Sequence, residues 1–222
     1  MSNPLSLTLF VVGICLFAVF YVVSKTFYYS RHKEKYHFYQ MFPYEFNYPR
    51  VFKENLYGNI LMILACLAIM VFYEVNPLHS IYSIVGIILS IITTMMIVVL
   101  LLFPIRYLRT HMIISSLLMV ISMALPMFNL FAALQQMKIA EDDLHRVLAI
   151  VSMVISGLLA VSMLLLIMNP KLTFKIYMDK VIDEQGNEVL KRPKVILMAL
   201  NEWWAIFIYF LAPLALLLLL II

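Results

Sequence analysis

Charge is scarce in this sequence. Only 13% of its 222 residues are Asp, Glu, Lys or Arg, while 64% are hydrophobic. The charged share is about half that of an ordinary soluble domain, and a water-exposed globule of this length has nowhere to hide so much apolar surface. Cysteine is nearly absent: Cys15 and Cys66 stand alone, in different apolar stretches. They give no CxxC centre, thiolate metal site or disulfide framework, and both read as small packing residues. Glycine numbers five, which argues against the Gly-broken helices common in secondary transporters. HExxH, GxSxG and GxxxxGK[ST] are all missing, so the chain reads as non-catalytic rather than enzymatic. No metal and no cofactor is expected.

What the chain has instead is six long runs free of charge, at about 5–24, 56–73, 81–103, 112–134, 147–168 and 203–222. A helix rises about 1.5 Å per residue, so about 20 apolar residues cross a hydrocarbon core of about 30 Å. The expected fold is an all-α membrane protein, a single bundle of six transmembrane helices in the lipid bilayer. The first run has no Lys or Arg before it and Lys25 and Arg31 after it, which suits a retained signal-anchor better than a cleaved signal.

The basic residues set the orientation. Of 16 Lys and Arg, all but Lys138 and Arg146 lie in the first, third and fifth gaps. Positive loops stay in the cytoplasm, so residues 25–55, 104–111 and 169–202 are expected inside, with the N-terminus and the C-terminus outside. The net charge of +4 is the sum of two unlike faces and predicts no nucleic-acid partner. A multi-pass protein of a cell membrane results, with the bacterial plasma membrane favoured by the compact chain.

Both long cytoplasmic segments carry more than loop chemistry. Residues 36–49 read YHFYQMFPYEFNYP. Tyr36, Phe38, Phe42, Tyr44, Phe46 and Tyr48 share one parity, a period of two that predicts an extended aromatic ribbon, with Phe42, Tyr44, Phe46 and Tyr48 the expected binding face. Pro43 and Pro49 restrict it to an edge or polyproline-like form. Six exposed rings would not sit in water, so the ribbon is expected to lie in the headgroup layer, fill a groove on this protein, or bind another membrane or cytoplasmic protein. In the 169–202 segment, Lys180-Val-Ile and Glu188-Val-Leu flank a polar stretch with Gly186 and Asn187, a possible small β-hairpin. After Pro193, a short interfacial helix is expected to lead into Glu202, Trp203 and Trp204 as an interfacial anchor. The alternative is one continuous helix from about Val195, which makes Glu202 an intramembrane carboxylate and a functional candidate by default.

Within the spans, Ala149, Ser152, Ser156 and Ala160 recur on one face of the fifth helix and read as a close-packing seam. Pro126 frees a carbonyl one turn back, and Asn129 follows three residues on, giving a polar intramembrane spot in helix four. All six runs lack ionisable groups, which argues against a pump or carrier built on a buried carboxylate.

These features favour a non-catalytic subunit or accessory factor of a membrane assembly. The alternatives are a transporter or channel component for an apolar or uncharged solute, and a membrane-embedded enzyme acting on lipid. The orientation is open to a labelling measurement. Cysteines placed at Asn76 and Gln136 are expected to react with an impermeant thiol reagent added outside, and cysteines at Asn47 or Asn187 are not; the reverse pattern inverts the topology.

Overall fold

The computed structural model describes residues 4–48, 51–75, 81–102, 108–172, 179–182 and 187–220. Six helices dominate: α1 Pro4–His32, α2 Leu56–Glu74, α3 Ile81–Leu102, α4 Leu108–Ile139, α5 Asp143–Ile167 and α6 Leu197–Leu220. Each is long and apolar enough to cross a membrane. Their outward faces carry exposed aliphatic side chains such as Val22, Leu64, Val154, Leu158 and Leu165, a surface suited to lipid.

Sequential helices pack as neighbours, and α6 packs against α1, α2, α3, α4 and α5. The last helix is therefore the centre of the bundle. Its buried positions run from Met198 to Leu217. With no hydrophobic drive between helices in lipid, close packing and interhelical hydrogen bonds do the work. Ala149, Ser152, Ser156 and Ala160 form, with Met163, the buried face of α5, and the Ser152 hydroxyl donates to the Ala215 carbonyl of α6 at 2.8 Å. Pro126 lies inside α4, where Asn129 Nδ2 donates to the Ala212 carbonyl of α6 at 2.9 Å and to the Tyr73 hydroxyl of α2 at 3.5 Å. The Tyr209 hydroxyl of α6 bonds Thr94 of α3 at 2.6 Å and the Cys66 carbonyl of α2 at 3.2 Å. Cys66 is buried and Cys15 exposed, and neither forms a disulfide.

Two elements depart from the expected spans. Helix α1 continues two turns past its apolar run, to His32, and ends where Lys33 takes a left-handed φ of 59° and donates its N–H to the Tyr29 carbonyl. Helix α6 begins at Leu197, so no separate interfacial helix precedes it. The single continuous helix is the form adopted, and the Ile196 N–H is anchored by the Tyr39 carbonyl at 2.8 Å. The expected hairpin is present as β1 Asp179–Ile182 paired antiparallel with β2 Glu188–Lys191, with Val181 opposite Val189.

Space between α1 and α2 is rationed at Gly58. A Cβ there would press on the Ser24 hydroxyl and the Asn55 side chain, two groups that bond each other at 2.8 Å. At Gly157 a Cβ would meet only Leu130, at an ordinary 3.6 Å. Gly58→Ala is expected to cost about 1–3 kcal/mol through overpacking. Gly157→Ala is expected to be neutral or to add up to about 1 kcal/mol of helix propensity. Thermal unfolding of the two variants in detergent checks the contrast.

Candidate functional site

The aromatic segment folds back over one end of the bundle. Residues Pro43–Asn47 form a 3₁₀ turn, not an extended ribbon, and Val51–Asn55 form a second. Both parities are buried: Phe42, Tyr44 and Phe46, and also Glu45 and Asn47. The period-two expectation is corrected here, because the opposite-parity polar residues find partners on distant elements. Asn47 Nδ2 donates at 2.8 Å to the Leu101 carbonyl of α3, and its Oδ1 accepts from Asn59 of α2. Glu45 Oε1 accepts from the Phe42 N–H, and both its oxygens accept from Arg192 Nη1 at 2.8–3.0 Å. Arg31 reaches the Phe46 carbonyl at 2.8 Å and Glu54 at 2.9 Å. Of the four residues expected to form a binding face, only Tyr48 stays exposed.

Trp203 ties this cap to the central helix. Its indole N–H donates to the Tyr36 hydroxyl and the Met41 carbonyl at 3.0 and 3.1 Å. The Tyr36 ring stacks on Phe46 at 4.0 Å, and the Tyr36 hydroxyl donates on to the Phe42 carbonyl. Trp203 is fully buried, so it is a core residue; Trp204 is half-buried and donates to Ser162 of α5 at 2.9 Å. Glu202 and Trp203 thus face the protein interior rather than a membrane surface. The continuous helix turns Glu202 and Trp203 inward.

Beneath the cap lies a buried polar cluster. Glu202 of α6 and His111 of α4 are fully buried, with His111 Nε2 3.0 Å from Glu202 Oε1. Ser115, one turn along α4 from His111, donates to the same oxygen at 2.7 Å. Glu202 Oε2 and both side-chain atoms of Asn201 have no hydrogen-bond partner among the described residues. The rings of Phe42 and Tyr44 stand edge-on to His111, 5.8 and 5.3 Å between centroids, and close the site from the loop side. On a helix turning about 100° per residue, Asn201 falls between Glu202, which faces α4, and Trp204, which faces α5.

A carboxylate in such a place costs several kcal/mol unless paired, and here an imidazole and a hydroxyl pair it. The charge-free runs themselves hold no ionisable group, but α4 and α6 begin before their runs and so take in His111 and Glu202. Sequence reasoning passed over His111 as a loop-end residue, yet a signal was available. His111 and Glu202 lie just inside the starts of α4 and α6, two helices that enter from the same basic end, and this places them at one depth.

The cap also encloses a surface pocket of about 300 Å³, lined by Tyr28, His32, Tyr44, Glu45, Tyr48 and Arg192. Burial holds the Glu45 carboxyl above its usual range, against the opposing pull of Arg192 and the Phe42 N–H. Burial likewise raises the Tyr44 hydroxyl, which stays protonated. At the opposite end Asp142 caps α5 by accepting from the His145 N–H at 2.7 Å, and its own value is lowered by that bond and by the His145 ring. No cluster of three or more His, Cys, Asp or Glu side chains able to hold a metal occurs among the described residues. Comparison with protein-family models, curated proteins and solved structures gives no match.

The buried pair is open to a double-mutant cycle. Glu202→Leu alone leaves His111 without its carboxylate and is expected to cost about 3–5 kcal/mol, whereas His111→Leu with Glu202→Leu is expected to recover most of that loss. Unfolding midpoints in detergent give the comparison.

Proposed function

We propose that the chain is a membrane transport component that moves protons through the Glu202–His111 pair. In this reading it sits in a cell membrane, the bacterial plasma membrane, with both termini outside and the basic gaps in the cytoplasm. One observation carries it: a fully buried carboxylate, shared between α4 and α6, with one oxygen bonded to His111 and Ser115 and the other unpartnered among the described residues.

Ionisable groups enclosed between membrane helices are costly, and they mark proton relays and ion paths. The pair has chemistry suited to that role. Carboxylate with imidazolium and carboxylic acid with neutral imidazole carry the same net charge, so one proton can pass between Glu202 and His111 without creating a charge in the dry interior. A second proton makes the site positive and removal of the first makes it negative. Either change penalises the closed packing under Phe42 and Tyr44, and so links proton occupancy to the fit of α4 against α6. The solute reading that required no buried charge is replaced by a proton-linked one.

A second reading, the non-catalytic accessory subunit, rests on the hairpin. Val181, Ile182 and Val189 are exposed on it, and a lone two-stranded hairpin is marginal in water. A covering surface on a larger assembly would supply what the hairpin lacks. The cap does not support this reading, since its rings are spent inside the chain.

The proton reading is tested by charge displacement on a solid-supported membrane. Wild-type proteoliposomes are expected to give a transient current on a pH step in the absence of any solute, and Glu202→Gln is expected to abolish it while the protein stays folded. No current in the wild type, or equal currents in both, rejects the proposal.

A further inference from the structure

The pocket beside the cap has the composition of a binding site rather than a packing defect. Tyr28 and Tyr44 are only 6% and 8% exposed, yet both line it, and neither hydroxyl makes a hydrogen bond to the described residues. The same is true of His32 Nε2, which is enclosed. Arg192 uses Nη1 for Glu45 and the Gln40 carbonyl, which leaves Nε and Nη2, the other edge of its fork, unused among the described residues. Tyr48 adds a third hydroxyl at the mouth, where its ring is 59% exposed.

The Tyr28, Tyr44 and Tyr48 hydroxyls can donate hydrogen bonds beside one free guanidinium edge, and such a set fits a tetrahedral oxyanion. Lys33 and Lys35 follow His32 at the end of α1 and add positive charge near the entrance; Arg31 is paired with Glu54, and Glu34 and Glu45 are the other nearby carboxylates. Depth points the same way. Tyr28 and His32 lie about 6 and 12 Å along the helix axis beyond Ser24, where the apolar run ends, and the headgroup zone begins at that level.

We propose that this pocket binds a phosphate group, carried either by a phospholipid head at the basic end of the bundle or by a soluble phosphate compound. The proposal is independent of proton movement at Glu202, which lies behind Tyr44 and outside the pocket.

The test is ligand-induced stabilisation of delipidated protein in detergent, with inorganic phosphate and dihexanoyl phosphatidylglycerol as separate probes. A rise in the unfolding midpoint with the lipid alone assigns the site to a membrane headgroup. A rise with inorganic phosphate alone assigns it to a soluble compound, and a rise with both shows that the phosphate suffices. No rise with either probe overturns the proposal. Tyr28→Phe with Tyr44→Phe removes two hydroxyls that bond nothing among the described residues, so the unliganded midpoint is expected to stay put while the dissociation constant rises about tenfold or more. Tyr48→Phe, at the exposed mouth, leaves folding unaffected and is expected to weaken binding in the same direction. Wild-type affinity in both variants also overturns the proposal.

Discussion

The indole of Trp203 holds the basic end of this protein together. Its single donor reaches both Tyr36 and Met41, and through them the loop that carries Phe42, Tyr44 and Phe46 is drawn onto the central helix. An indole can do this because it combines a large apolar body with one polar edge that must be satisfied when buried. With Tyr36 stacked on Phe46, the loop has nowhere to go but inward. Asn47, Glu45 and Arg31 then find their partners on α3, on the last loop and on the second 3₁₀ turn.

That closure sets the chemistry beneath it. Glu202 precedes Trp203 by one residue, so the contact that seals the end of the bundle also fixes the carboxylate against α4. In a medium of low dielectric each hydrogen bond is worth more and each unpaired polar atom costs more. His111 and Ser115 therefore matter to folding as well as to any proton chemistry. The two roles do not conflict: a site that is expensive to perturb couples its occupancy to the packing around it.

What could be read from the sequence was what lies along one dimension. Charge-free runs of the right length gave six helices. The basic gaps pointed to one end. The Lys180 and Glu188 flanks marked the hairpin, and the small residues of α5 marked a packing face. The aromatic segment misled because period two is a weak signal in a short stretch with two prolines, and Pro43 starts a 3₁₀ turn as readily as it interrupts a strand. Its buried polar residues depend on Leu101, Asn59 and Arg192, contacts set by the bundle and invisible locally. Glu202 misled for a related reason. A carboxylate beside two tryptophans reads as interfacial until a distant histidine offers it a partner.

The span of chain between Tyr36 and Trp203, 167 residues apart, has a consequence for biogenesis. The cap is made early in synthesis, but its anchor arrives on the last helix. Until α6 inserts, Tyr36 and Phe46 lack their central partner, and α4 holds His111 and Ser115 without a carboxylate. Non-local contacts of this kind form slowly and leave adhesive surface exposed in the meantime. Until α6 is in place, the aromatic lid has no central helix to close on.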